Sequence, residues 1–198
     1  RMGPRPTPFL PCPPNGAEQP NFASMDSTTP QPVLLPVRGQ SPQFGDNTWL
    51  APNCTVVGDV RTGKDCSIWF GAIVRGDVCA IRIGDRVNIQ DGAVLHGTFE
   101  KTDCRIGDGA SIGHNAIVHG CTVQEGALIG MGAIVMDRAV VGRHAVVAAG
   151  AVVLEGTEIE DGDLWAGVPA KRVKKVDPAL REHLMKTAIR YRQYAKWF

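Results

Sequence analysis

Three of the chain's five histidines, His96, His114 and His119, fall within residues 88–119. Imidazole is the commonest protein ligand for zinc, and three protein ligands that leave a fourth position to water form the pattern of a catalytic metal site. Spacing alone is a modest signal. His-x4-His, as in His114 and His119, also arises by chance, and a histidine in a repetitive strand is more often a surface or stacking residue. The repeat around these histidines gives them their weight.

An apolar residue recurs every six positions at Val123, Ile129, Val135, Val141, Val147, Val153, Ile159 and Trp165. The same step runs through Thr62, Ile68 and Val74, then Ile83, Ile89 and Leu95, then Ile106, Ile112 and Val118. Such hexads fit neither a helix nor a strand that alternates over a longer run. They predict a solenoid of very short strands, in which three hexads close a triangular coil and coils stack at ~4.8 Å. Corners need unusual backbone angles, and 20 of the 23 glycines accordingly fall between Gly45 and Gly167. Ala127, Ala133, Ala139, Ala145 and Ala151 supply small side chains for the cramped interior. A β-sandwich would need strands of about five or six residues with longer connections, and the hexads leave no room for them.

The step breaks twice. Residues 75–80, which include Arg75-Gly76-Asp77, interrupt it after Val74, and a loop over residues 97–105 interrupts it after Leu95. Insertions in a solenoid are extruded at a corner, often on the working face, and both breaks lie beside the histidines. His96 and His114 stand 18 residues apart, nominally one coil. His96 and His119 each follow an inward residue directly, and His114 comes two after Ile112, so the three decorate the outside. A metal site on a convex surface lacks surroundings unless another subunit covers it. The expectation is therefore a site between subunits of a closed cyclic homo-oligomer.

Over residues 45–198 the chain resembles the γ-class carbonic anhydrases and γ-carbonic-anhydrase-like proteins of the hexapeptide-repeat superfamily. The resemblance rests on Arg75-Gly76-Asp77, Asn88-Ile89-Gln90-Asp91, His96, and the run from His114 to His119, in that order. It implies an all-β solenoid, a left-handed parallel β-helix with a C-terminal α-helix packed on it, against the usual right-handed crossover. It implies a homotrimer in which Zn2+, or Fe2+, is held by His96 and His119 of one subunit and His114 of its neighbour. Gln90, with Asp91 and Asn88 around it, would orient the reacting solvent, while Arg75 and Asp77 would hold the subunit interface. For Asn88 a plain turn role is nearly as good a reading, since Asn and Asp are common turn residues.

The implied reaction is reversible hydration of CO2 to bicarbonate by a metal-bound hydroxide. The chain departs from the most active members of the family. Val78 stands where they have a second acid, and the loop carries only Glu100 and Asp103 as acids. Glu100, or Tyr191 from the helix, is left as a weak proton shuttle. The segment Gly167-Val-Pro-Ala-Lys171 resembles the terminal signature of acyl-CoA-dependent relatives. The alternatives are accordingly a hexapeptide acyltransferase or thioesterase-like enzyme acting on acyl-CoA, or a non-catalytic metal-binding scaffold subunit.

A net charge of +1 argues against nucleic-acid or membrane-surface partners. Its distribution says more: residues 45–170 carry 9 basic and 16 acidic side chains and residues 171–198 carry 9 and 2, which predicts a basic C-terminal segment docked on an acidic body. The six cysteines form no Cys-x2-Cys pair and no secretory segment is visible, favouring reduced thiols in a cytoplasmic compartment. Residues 1–44 hold 11 of the 14 prolines and read as a flexible leader; an organelle is the alternative if that leader is a targeting segment. Residues 45–170 read as the β-helix of about seven coils and 171–198 as the C-terminal helix. There Asp177-Pro178 supplies an N-cap with proline at N1, and Leu180, Leu184, Ala188, Tyr191 and Ala195 make one apolar stripe.

Overall fold

The computed structural model describes residues 30–198; the first 29 residues, with most of the proline-rich leader and Cys12, lie outside the described residues. Strands of two or three residues alternate with tight corners, and each pairs in parallel with the strand one coil away. The result is a left-handed β-helix with three faces. The first is built from Trp49–Leu50, Ser67–Ile68, Asn88–Ile89, Ser111–Ile112, Leu128–Ile129, Val146–Val147 and Asp163–Ala166. The second runs through Val33–Leu35, the starts of Thr55–Thr62 and Ile73–Ile83, and then Val94–His96, Ile117–His119, Ile134–Val135 and Val152–Val153. The third takes the ends of the two long strands, then Cys104–Ile106, Thr122–Val123, Val140–Val141 and Glu158–Ile159.

The hexad residues fill the interior. Ile68, Val74, Ile89, Leu95, Ile112, Val118, Val123, Ile129, Val135, Val141, Val147 and Val153 are all buried, with the alanine series beside them. Each strand is too short to hold itself, so burial of one apolar side chain per hexad, repeated coil upon coil, is what orders the chain. Corners use the left-handed backbone region. At Gly92 (φ 68°) a Cβ would run into the side chain of Asn115, which turns the same corner one coil on at φ 56°.

The last coil is closed by a strand, Lys171–Lys175, paired antiparallel with Asp163–Ala166. Asp163 is only 1 % exposed, with Arg172 Nε at 2.7 Å and Lys175 Nζ at 2.8 Å. Burial works against its charged form, but the hydrogen bonds from Arg172 and Lys175 outweigh it and hold the carboxyl below its ordinary range. A carboxyl whose pKa is lowered by folding contributes stability above its unfolded value, about 3.9, and loses it as pH falls through the folded value. Asp163→Asn should therefore cost about 1–3 kcal/mol at neutral pH, with the gap to wild type closing below about pH 4. Urea unfolding of the two proteins at several pH values checks this.

The helix Pro178–Tyr194 starts where Asp177 caps it, the carboxylate accepting from Leu180 N at 2.8 Å. It packs on the first face at Asn88–Ile89. Tyr191 stands edge-on to Trp69 with centroids 5.2 Å apart, Phe198 closes on Trp49 and Phe70, and Arg192 reaches Asp65 at 2.9 Å. Arg192–Asp65, together with Arg172 and Lys175 on Asp163, joins the basic C-terminal segment to the acidic body. The five described cysteines are free of disulfides.

Candidate metal centre

His96 and His119 are register partners on adjacent coils of the second face. The simple 18-residue count pairs His96 with His114; the loop after His96 lengthens that coil, so its neighbour is His119, 23 residues on. The inner nitrogens, His96 Nδ1 and His119 Nε2, lie 3.4 Å apart. Each outer nitrogen donates to a carboxylate: His96 Nε2 to Asp77 at 3.1 Å, and His119 Nδ1 to Asp137 at 2.9 Å. Arg75 meets Asp77 at 2.5 Å within the same chain and brings Nη2 to 3.5 Å from His96 Nδ1.

These contacts set the charge states. Burial pushes the His96 pKa down, assisted by the Arg75 charge and opposed by Asp77, so its imidazole is neutral at pH 7. Burial alone would raise Asp77 and Asp137, but hydrogen bonds outweigh it and both carboxyls sit below their usual range. Arg75 and His96 do this for Asp77; Thr102, His119 and Thr98 do it for Asp137.

His114 belongs to a second cluster, at the corner that follows Ser111–Ile112. Its Nδ1 lies 2.9 Å from Asp91 Oδ2, and its Nε2 accepts from the Tyr191 hydroxyl at 3.3 Å. Burial first, then the Asp91 charge, raises the Tyr191 pKa, so the phenol keeps its proton at neutral pH. Beside Asp91, Gln90 is buried and its Nε2 donates to Asn88 Oδ1 at 2.9 Å, while Asn88 Nδ2 donates to Ser111 Oγ at 2.8 Å. Asn88 is thus a buried strand residue under the helix rather than a turn residue. Glu100 stands exposed in the loop at φ 54°.

The single chain therefore gathers Arg75, Asp77, His96 and His119 in one place and Asn88, Gln90, Asp91, His114 and Tyr191 in another. No group of three metal-binding side chains converges among the described residues. Sequence reasoning passed over Asp137, Thr98, Thr102 and Ser111. For Asp137 a signal existed: it follows His119 by 18 residues, one coil, and so stacks on the same corner.

Residues 120–155 match the family described as "Bacterial transferase hexapeptide (six repeats)". Gamma carbonic anhydrase 2, mitochondrial, from Arabidopsis thaliana is 39 % identical over 166 residues, covering 80 % of this chain. A carbonic anhydrase of Geobacillus kaustophilus is 38 % identical over 167 residues, which cover 83 % of this chain and 91 % of the relative. The chain belongs to the γ-carbonic-anhydrase-like family of hexapeptide-repeat proteins. It spans 59 % of the length of the Arabidopsis thaliana member. Among solved structures, a hexapeptide transferase family protein from Anaplasma phagocytophilum superposes with a TM-score of 0.80 at 40 % identity, covering 84 % of this chain and 98 % of that one. Family membership accounts for the solenoid; the chemistry has to be argued from the site.

Proposed function

We propose that the protein hydrates CO2 reversibly to bicarbonate, using a zinc or ferrous ion held by His96 and His119 of one subunit and His114 of its neighbour in a homotrimer. The observation that carries this reading is the paired imidazoles. Two nitrogens on a tetrahedral zinc at bond lengths of 2.0–2.1 Å stand about 3.3 Å apart. The inner nitrogens of His96 and His119 stand 3.4 Å apart, each ring backed by a carboxylate on its far side, as zinc-binding histidines generally are. The donor set thus fits the ion. When bound, the ion supplies acidity, lowering the pKa of a coordinated water from 15.7 to about 7.

The chain's own residues do the rest. Asp77 and Asp137 accept hydrogen bonds from the outer N–H groups of His96 and His119, which leaves the inner lone pairs facing one another. Asp91 does the same for His114, so Nε2 carries the lone pair that would pass from the Tyr191 hydroxyl, its donor in the single chain, to the ion. That hydroxyl and the carboxylate of Glu100 are the candidate carriers for the proton released in hydration. Gln90 and Asn88 form a buried, hydrogen-bonded pair next to Asp91, from which Gln90 would orient the reacting solvent.

The second copy is supported by the second face itself. Ile73, Val94, Ile117, Ile134 and Val152 form one outward column in register, with Met136 and Leu154 following His119 on the neighbouring column. Ile73, Ile117, Met136 and Leu154 are exposed. A contiguous apolar surface around a half-built site marks a subunit contact. A one-histidine base for acyl transfer would leave the carboxylate-backed second imidazole without a role, so the hydration reading is preferred. As to compartment, three relatives bear the word mitochondrial in their names, which supports the organelle arm for this chain if its leader is a targeting segment.

The test is stopped-flow CO2 hydration with protein purified without oxygen, stripped by chelator and reloaded with one equivalent of zinc or ferrous iron per chain. The expected outcome is activity that follows metal content. A metal-loaded trimer with no turnover contradicts the enzyme and leaves a scaffold.

A further inference from the structure

The extruded loop between His96 and Cys104 does more than take up length. Its turn is closed by Lys101 N and Thr102 N, which donate to Thr98 O at 3.1 and 3.2 Å, and Thr98 N donates to Thr102 Oγ1 at 3.0 Å. That turn aims both threonine hydroxyls at one atom. Thr98 Oγ1 and Thr102 Oγ1 donate to Asp137 Oδ1 at 3.0 and 2.7 Å. The other oxygen of the same carboxylate, Oδ2, accepts from His119 Nδ1 at 2.9 Å. The packing is flush: a Cβ at Gly120, which has φ 52°, would run into both the Thr102 hydroxyl and the Asp137 carboxylate.

A carboxylate holding a single hydrogen bond swings about its Cβ–Cγ bond and takes its partner's ring with it. Here three donors on two oxygens fix its plane, and the plane fixes the imidazole. A loop extruded merely to accommodate extra residues needs no two hydroxyls on the oxygen opposite the one that holds an imidazole. We propose that the loop is a clasp: through Asp137 it locks the His119 ring in the Nδ1–H tautomer with Nε2 turned toward His96, making Thr98, Thr102 and Asp137 positioning residues of the centre. The metal-affinity part of this inference rests on the carbonic anhydrase reading above. The part that concerns the ring does not.

Two measurements separate them. In the metal-free protein, long-range 1H–15N spectra of the imidazoles report tautomers. The wild type should show His119 protonated at Nδ1, and Asp137→Ala and the double variant Thr98→Val/Thr102→Val should shift it toward the other tautomer, with Thr98→Ser/Thr102→Ser restoring the wild-type pattern. In competition with a chromophoric chelator, zinc should bind about 10- to 100-fold more weakly to Asp137→Ala and about tenfold more weakly to the double valine variant. The thermal midpoint and oligomer mass are followed alongside; a purely structural loop would move those and spare the tautomer. An unchanged His119 tautomer in folded Asp137→Ala overturns the clasp, whatever the metal does. A wild type that shows the tautomer but binds no zinc overturns the carbonic anhydrase reading and leaves the clasp standing.

Discussion

His114→Ala should lose CO2 hydration by more than about 100-fold, beyond the 10- to 100-fold typical of a residue that only backs a ligand. It should also lose its zinc on dialysis while keeping its fold. The argument is geometric. The His114 side chain is 39 % exposed, outside the coil, and its contacts are to Asp91 and Tyr191 rather than to the core. Truncation leaves no cavity among the hexad residues, so the thermal midpoint of the isolated chain should move little. What would disappear, on the proposed reading, is one of three ligands, and with it the acidity that would make hydroxide available at neutral pH. Stopped-flow assay, metal analysis and thermal denaturation on one preparation check all three statements. Wild-type activity in the variant would remove His114 from the site.

Leu95→Ala shows the opposite pattern and should be the more damaging change to the fold. Leu95 is completely buried, stacked in register between Val74 and Val118, and it immediately precedes His96. Replacing a buried leucine by alanine costs about 2–5 kcal/mol, with the upper end where surroundings cannot collapse into the hole. In a solenoid the walls are held by ladder hydrogen bonds from coil to coil, so collapse is restricted and the upper half of that range is expected. Ile117→Ala, on the same face but pointing outward, should cost the isolated chain no more than about 0.5 kcal/mol. Equilibrium unfolding in urea distinguishes them; equal losses would contradict the assignment of inward and outward positions.

The period of six was legible because burial in a solenoid is written in the chain at fixed steps: every hexad residue from Val123 to Val153 is interior. The helix start was legible for a similarly local reason, since Asp177 and Pro178 satisfy and pre-shape the first turn by themselves. The pairing of His96 with His119 was not legible in the spacing and entered only through the family resemblance, because it depends on how many residues the loop removes from the coil. The hydrogen bonds of Asp137 were hidden for the same reason: two of its donors come from inside that loop, and only the three-dimensional turn at Thr98–Thr102 brings them back to the corner. Val78, where the resemblance led one to expect a second acid, was visible in the sequence, and the proposed reaction leaves its proton path to Tyr191 and Glu100.

The central claim, a metal site shared between neighbouring copies, is tested most directly by assembling two dead variants together. His96→Ala chains keep His114 but lack a ligand of the paired imidazoles; His114→Ala chains keep the pair but lack the neighbour's contribution. Each alone should be inactive. Denatured, mixed in equal amounts and refolded, they should recover roughly a quarter of wild-type CO2 hydration, since a random cyclic trimer completes one site wherever a chain bearing the pair precedes a chain bearing His114. No recovery from a mixture that refolds to trimers, alongside an active refolded wild type, would contradict the shared site.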